Sequence, residues 1–223
     1  MFAGHVGAAL AIGRAERRIN VGAFVFAALL LDVVLWLLVL LGWETLTIPP
    51  NFASTHQPEF IFPYSHGLLA SIAWSVLAGV AIFIRYPQLK EGKSRAAVLV
   101  GTAVFSHWLL DALVHAPELP LAGAVSMKVG LGLWQSMPVA LVAEVLILVV
   151  GLCLFVPGAS LSRVKKFWLT VLSLLILAFT VVGMTIAPPP PSVIAVAATS
   201  LVTIIVVCAL ACWLGRLPNE RRA

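Results

Sequence analysis

Charge is what this chain has least of. Asp, Glu, Lys and Arg make up only 10% of its 223 residues, while 61% are hydrophobic and the mean hydropathy is +1.07. A soluble domain carries roughly 25% charged residues, so an ordinary water-soluble globule is excluded and the polytopic membrane class remains. Cysteine is scarce as well. Cys153, Cys208 and Cys212 all lie in apolar stretches, and an odd count at lipid depth argues against a disulfide framework. Cys208 and Cys212 are four apart with no histidine or carboxylate beside them, so they read as packing residues. The pI of about 9.5 does not imply a nucleic-acid partner, because the cations sit in short loops between apolar runs. Aspartate is scarcer still. The only two, Asp32 and Asp111, both interrupt long apolar runs, FVFAALLLDVVLWLLVLL and GTAVFSHWLLDALVH.

What is present is apolar length. Runs long enough to cross a bilayer, which takes about 20 residues, occur near 20–42, 64–84, 96–115, 131–156, 166–186 and 192–214. The stretch 2–13 is apolar but only about 18 Å long as a helix, a half-membrane segment. Basic residues follow it instead of preceding it, the wrong order for a cleavable signal. The expected fold is an all-α membrane bundle of six long helices plus this short one. Residues 1–156 form the site-bearing part and 157–223 a two-helix hairpin that serves as scaffold.

The basic residues set an orientation. Arg14, Arg17, Arg18, Arg85, Lys90, Lys93, Arg95, Arg163, Lys165, Lys166, Arg216, Arg221 and Arg222 fall on one side, and only Lys128 on the other. By the positive-inside rule the first side, with the C-terminus, is cytoplasmic. Loops 43–63 and 116–130 face outward.

A carboxylate inside a span normally faces the protein interior and pairs with a charge, a proton or a metal. Helical rise of about 1.5 Å per residue from the basic side puts His5 roughly 13 Å deep, Asp32 and His107 roughly 18 Å, Glu144 roughly 20 Å, Asp111 roughly 24 Å and His66 roughly 28 Å. Several helices thus bring ligand-type residues to similar depth. His107, Asp111 and His115 stand at i, i+4 and i+8, on one face of a helix. Histidine and carboxylate ligands four apart are a recurrent way for a helix to grip zinc. The alternative is a buried His–Asp pair that only ties helices together. Pro138 suggests a kink or a late helix start in the fourth segment.

The motifs that carry these residues resemble the YdjM-like family of membrane-bound metal-dependent hydrolases. The matching pieces are Gly4-His5, LLLD ending at Asp32, PYSHGLLAS around His66, SHWLLDALVH with His107 and Asp111, and KVGLGLWQSMPVALVAE from Lys128 to Glu144. The likeness covers about residues 1–156. Val34 stands where members often have a second Asp, and Ser65 where Thr is common. That family is similar to the zinc-dependent phospholipase C and single-strand nuclease group. The resemblance implies His5, Asp32, His66, His107 and Asp111 as zinc ligands and Glu144 as a further ligand or general base. It implies a hydrolase of the bacterial cytoplasmic membrane acting on a lipid or lipid-linked ester, a phosphodiester first. The competing reading is a non-enzymatic membrane protein, an ion- or proton-coupled transporter or a scaffold, since intramembrane Asp and His also form proton relays.

Overall fold

A computed structural model describes residues 1–89 and 91–216; Lys90, Arg221 and Arg222 of the charge pattern lie outside the described residues. It is an all-α bundle. The helices are α1 (Phe2–Gly13), α2 (Val21–Ala28), α3 (Leu30–Leu40), a single turn α4 (Phe52–Thr55), α5 (Leu68–Arg85), α6 (Lys93–Val114), α7 (Met137–Phe155), α8 (Arg163–Thr185) and α9 (Val193–Gly215). Among the described residues five helices are long and apolar enough to cross a membrane, or six if the bent pair α2–α3 is one span. Exposed apolar side chains such as Val76, Val80 and Ile84 on α5 and Leu175 and Phe179 on α8 are what lipid-facing surfaces require.

Helix starts follow local chemistry. The Asn20 side chain accepts from Gly22 N–H, Ser162 from Lys165 N–H and Ser192 from Ala195 N–H, capping α2, α8 and α9. Pro138 occupies the first turn of α7, where a missing N–H costs nothing. The fourth apolar segment therefore starts its helix at Met137, with residues 131–136 spent on a turn. At the site end two short antiparallel ladders, β1 (Thr45–Thr47) with β2 (Glu59–Ile61) and β3 (Leu119–Pro120) with β4 (Lys128–Val129), shape the loops.

The first long segment breaks at Leu29, bending by 49°. Neither Pro nor Gly is there. The Ala28 carbonyl is instead taken by His107 Nδ1 at 2.6 Å, a side chain inserted where a ladder bond would form.

At the opposite end the first loop is clamped. Arg18 Nε and Nη2 each donate to Glu16 at 2.7 Å, and these bonds hold the Glu16 carboxyl below its usual range. Arg95 donates to the Ala15 carbonyl at 2.8 Å.

The half-length α1 packs chiefly on α7. Gly7 and Gly151 make this possible: a Cβ on either would overlap the other helix's backbone. Close backbone approach through small residues is the usual device for joining helices in lipid. Gly151→Val is expected to lever α1 away, at a cost of at least about 1–3 kcal/mol for overpacking, read as a lowered unfolding midpoint in detergent. Gly183→Val, where a Cβ meets nothing, should leave the midpoint unchanged.

Candidate metal centre

Four elements deliver the five residues of the site. His5 lies in the second turn of α1, Asp32 in the first turn of α3, His66 in the turn before α5, and His107 and Asp111 on α6. His66 is therefore not helical, because the second span begins only at Leu68. His5, His66, His107 and Asp111 are almost fully buried.

The donor atoms converge. His66 Nε2 and His107 Nε2 are 3.0 Å apart, Asp111 Oδ2 is 3.1 Å from His107 Nε2 and 3.4 Å from His66 Nε2, and Asp32 Oδ1 is 3.7 Å from each imidazole. Ligands about 2.0–2.1 Å from a tetrahedral zinc stand roughly 3.3 Å from one another, so these separations suit a single small cation. Two overlapping sets, His66–His107–Asp111 and His5–Asp32–His107, each bring three such atoms within 4.8 Å.

Proton placement sharpens the point. A carbonyl can only accept, so the Ala28 contact fixes the His107 proton on Nδ1. Glu44 accepts from the backbone N–H of Tyr64 (2.7 Å) and Ser65 (2.8 Å) and from the Ser65 hydroxyl (2.7 Å). With its own proton given to Glu44, Ser65 Oγ accepts from His66 Nδ1 at 2.8 Å. Both neutral rings then aim lone pairs at each other across 3.0 Å. That is repulsive unless a cation or a shared proton lies between them. Outer N–H groups tied to a carbonyl or a carboxylate-backed hydroxyl are the usual dress of metal-binding histidines.

His5 adds an orphan. Its ring stacks on His107 at 3.7 Å. Its Nε2 lies 3.2 Å from Asp111 Oδ1 but out of alignment, so neither buried ring nitrogen has a hydrogen-bond partner. Such groups are rare without an unseen ligand. The Met1 nitrogen also approaches Asp111 Oδ1, at 3.3 Å.

His115 and Glu144 stand apart from this convergence. His115 caps α6 with an extended backbone, so the expected i+8 step leaves the helix. Its Nε2 is 3.9 Å from Asp111 Oδ2 and its Nδ1 is 2.5 Å from Glu118; it belongs to neither three-atom set. Glu144 is fully buried. Its Oε2 accepts the Gly4 N–H at 2.5 Å, capping α1 from α7, while Oε1 has no partner.

Sequence reading missed Glu44 and Glu118. Glu118 was visible as the i+3 neighbour of His115; Glu44 carries no spacing signal, since a loop alone brings it to Ser65. Glu44→Gln replaces an acceptor with a donor facing the Ser65 network, and Ser65→Ala removes the link to His66. Either is expected to weaken metal binding about 10- to 100-fold, the usual worth of such support, measured by competition with a zinc-sensitive dye.

Searches of protein-family models, curated proteins and solved structures give no match for the chain.

Proposed function

We propose that the chain is a membrane-embedded, metal-dependent hydrolase, with zinc as the metal and a lipid or lipid-linked ester, a phosphodiester first, as substrate. The observation that carries this reading is the pair of Nδ1-protonated imidazoles facing each other beside two carboxylates. The resemblance of these motifs to the YdjM-like hydrolases points the same way.

His66, His107, Asp111 and Asp32 would hold the cation, with His5 completing the second, overlapping set. A divalent zinc held there would supply a water acidified to a pKa of about 7 and would polarise an ester oxygen. Asp111 directs Oδ2 to His66 and His107 and Oδ1 to His5, so it would be a ligand with one oxygen facing each side of the cluster. Ser65–Glu44 and the Ala28 carbonyl keep His66 and His107 in the tautomer that leaves Nε2 free. Glu144 offers its unpartnered Oε1 as the proton acceptor. Phe60, Phe62 and Trp134 line the cavity, and their low-dielectric surfaces strengthen each of these electrostatic effects.

Elemental analysis of the detergent-purified full chain, prepared without chelator, tests the reading. Stoichiometric zinc together with phosphodiester cleavage in lipid vesicles is expected. Protein free of any transition metal would leave only a proton between the imidazoles, and the relay reading would replace this one.

The location we propose is the bacterial cytoplasmic membrane, with the C-terminus inside. Reporter fusions after Arg222 should then be active only in the form that works in the cytoplasm. Activity of the form that works outside would invert the topology.

A further inference from the structure

The centre touches two cavities, and Asp32 and Trp36 line both. The smaller, about 150 Å³, contains His66, Asp111 and His115. The larger, about 400 Å³, lies between α3, α8, α9 and the start of α1, within the roughly 300–1,000 Å³ of small-ligand sites. Its walls are Phe2 and Phe179, edge to face at 6.1 Å, with Ile204 and Trp36. Thr199 and Thr203 also face it, but their hydroxyls donate to the carbonyls of Ala195 and Thr199 in their own helix. Ser200 lines it as well, and Asp32 is the one charged group among the described lining residues. It is also the most open of the acidic candidates, its side chain 21% exposed against 3% for Asp111.

Position identifies the occupant. Thr199 to Ile204 lie roughly 9 to 17 Å along α9 from Val193, inside a segment long enough to cross the hydrocarbon layer. At that depth the neighbouring molecules are lipid chains. The hairpin expected as scaffold thus forms one side of a passage that ends at a ligand carboxylate. We propose that this groove holds a hydrocarbon chain of a bilayer phospholipid whose phosphoester head reaches the cluster beside Asp32, so that the substrate arrives sideways from the membrane. The chemistry at the head rests on the hydrolase reading; the seat for the chain does not.

The test uses the zinc-loaded full chain in nanodiscs of phosphatidylethanolamine and phosphatidylglycerol, with a trace of phosphatidylglycerol carrying a diazirine at the end of one acyl chain. After photolysis, mass spectrometry maps the adducts. Labelling around Thr199–Ile204 and Phe179 is expected above that on the lipid-facing side of α5. Thr203→Trp, which fills the groove, should lower it to the α5 level while bound zinc stays the same, and the milder Thr203→Leu should lower it part of the way. Equal labelling of α9 and α5 in the unaltered chain, or labelling unmoved by both substitutions, overturns the proposal and leaves the metal centre standing. Groove labelling on protein that binds no zinc keeps the lipid seat and removes the hydrolase instead. Adducts to a co-purified polypeptide in place of lipid would also overturn it.

Discussion

Asp111→Ala protein, purified without chelator, is expected to carry roughly tenfold less zinc than the unaltered chain, or less still, because even a supporting residue is worth about 10- to 100-fold in affinity. Through its two oxygens Asp111 comes within 3.5 Å of His5, His66 and His107, so its removal takes a donor from the set it shares with His66 and His107 and the carboxylate beside His5 from the other. His107→Ala should match it in zinc content, since His107 belongs to both sets, and it also frees the Ala28 carbonyl. Cys208→Ala, deep in α9, should leave zinc unchanged. Zinc retained at full stoichiometry in both His107→Ala and Asp111→Ala would remove the centre from consideration.

Glu144→Gln carries the second large expected effect. An amide oxygen can still accept the Gly4 N–H, so α1 should stay docked on α7. The other position changes from a proton acceptor to a donor. With Glu144 as general base, hydrolysis should fall by about 10²–10⁴-fold, the usual worth of such a group, while zinc is retained. Joint loss of zinc and activity would make it a ligand. Unchanged turnover would confine Glu144 to holding the end of α1.

The fold class was plain from apolar length, and each long span was found near its expected place. Boundaries were less legible. Residues 131–136 and 64–67 were expected inside their spans but form turns ahead of the helices, which start at Met137 and Leu68. The break at Leu29 has no Pro or Gly behind it; it goes with the bond from the preceding Ala28 carbonyl to His107, 79 residues from Ala28. The convergence of His66, His107, Asp111 and Asp32 was visible because unpaired polar residues in lipid must find each other. Their tautomers were not, since these depend on Glu44 in a loop and on a carbonyl released by a bend. His115 shows the limit of periodic reasoning. An i+8 step presumes that the helix continues, and α6 ends one residue short.

The short α1 imposes an order in time. At about 18 Å it cannot cross the bilayer by itself, and the partner that caps and packs it lies on α7, 140 residues further along. Ribosomes add about 5–20 residues per second, so His5 waits on the order of ten seconds or more after synthesis for the surface that will hold it. The cluster is thus complete only after α7 has been made. Any ion that needs His5 has to be acquired after that point, not by the first helix as it emerges.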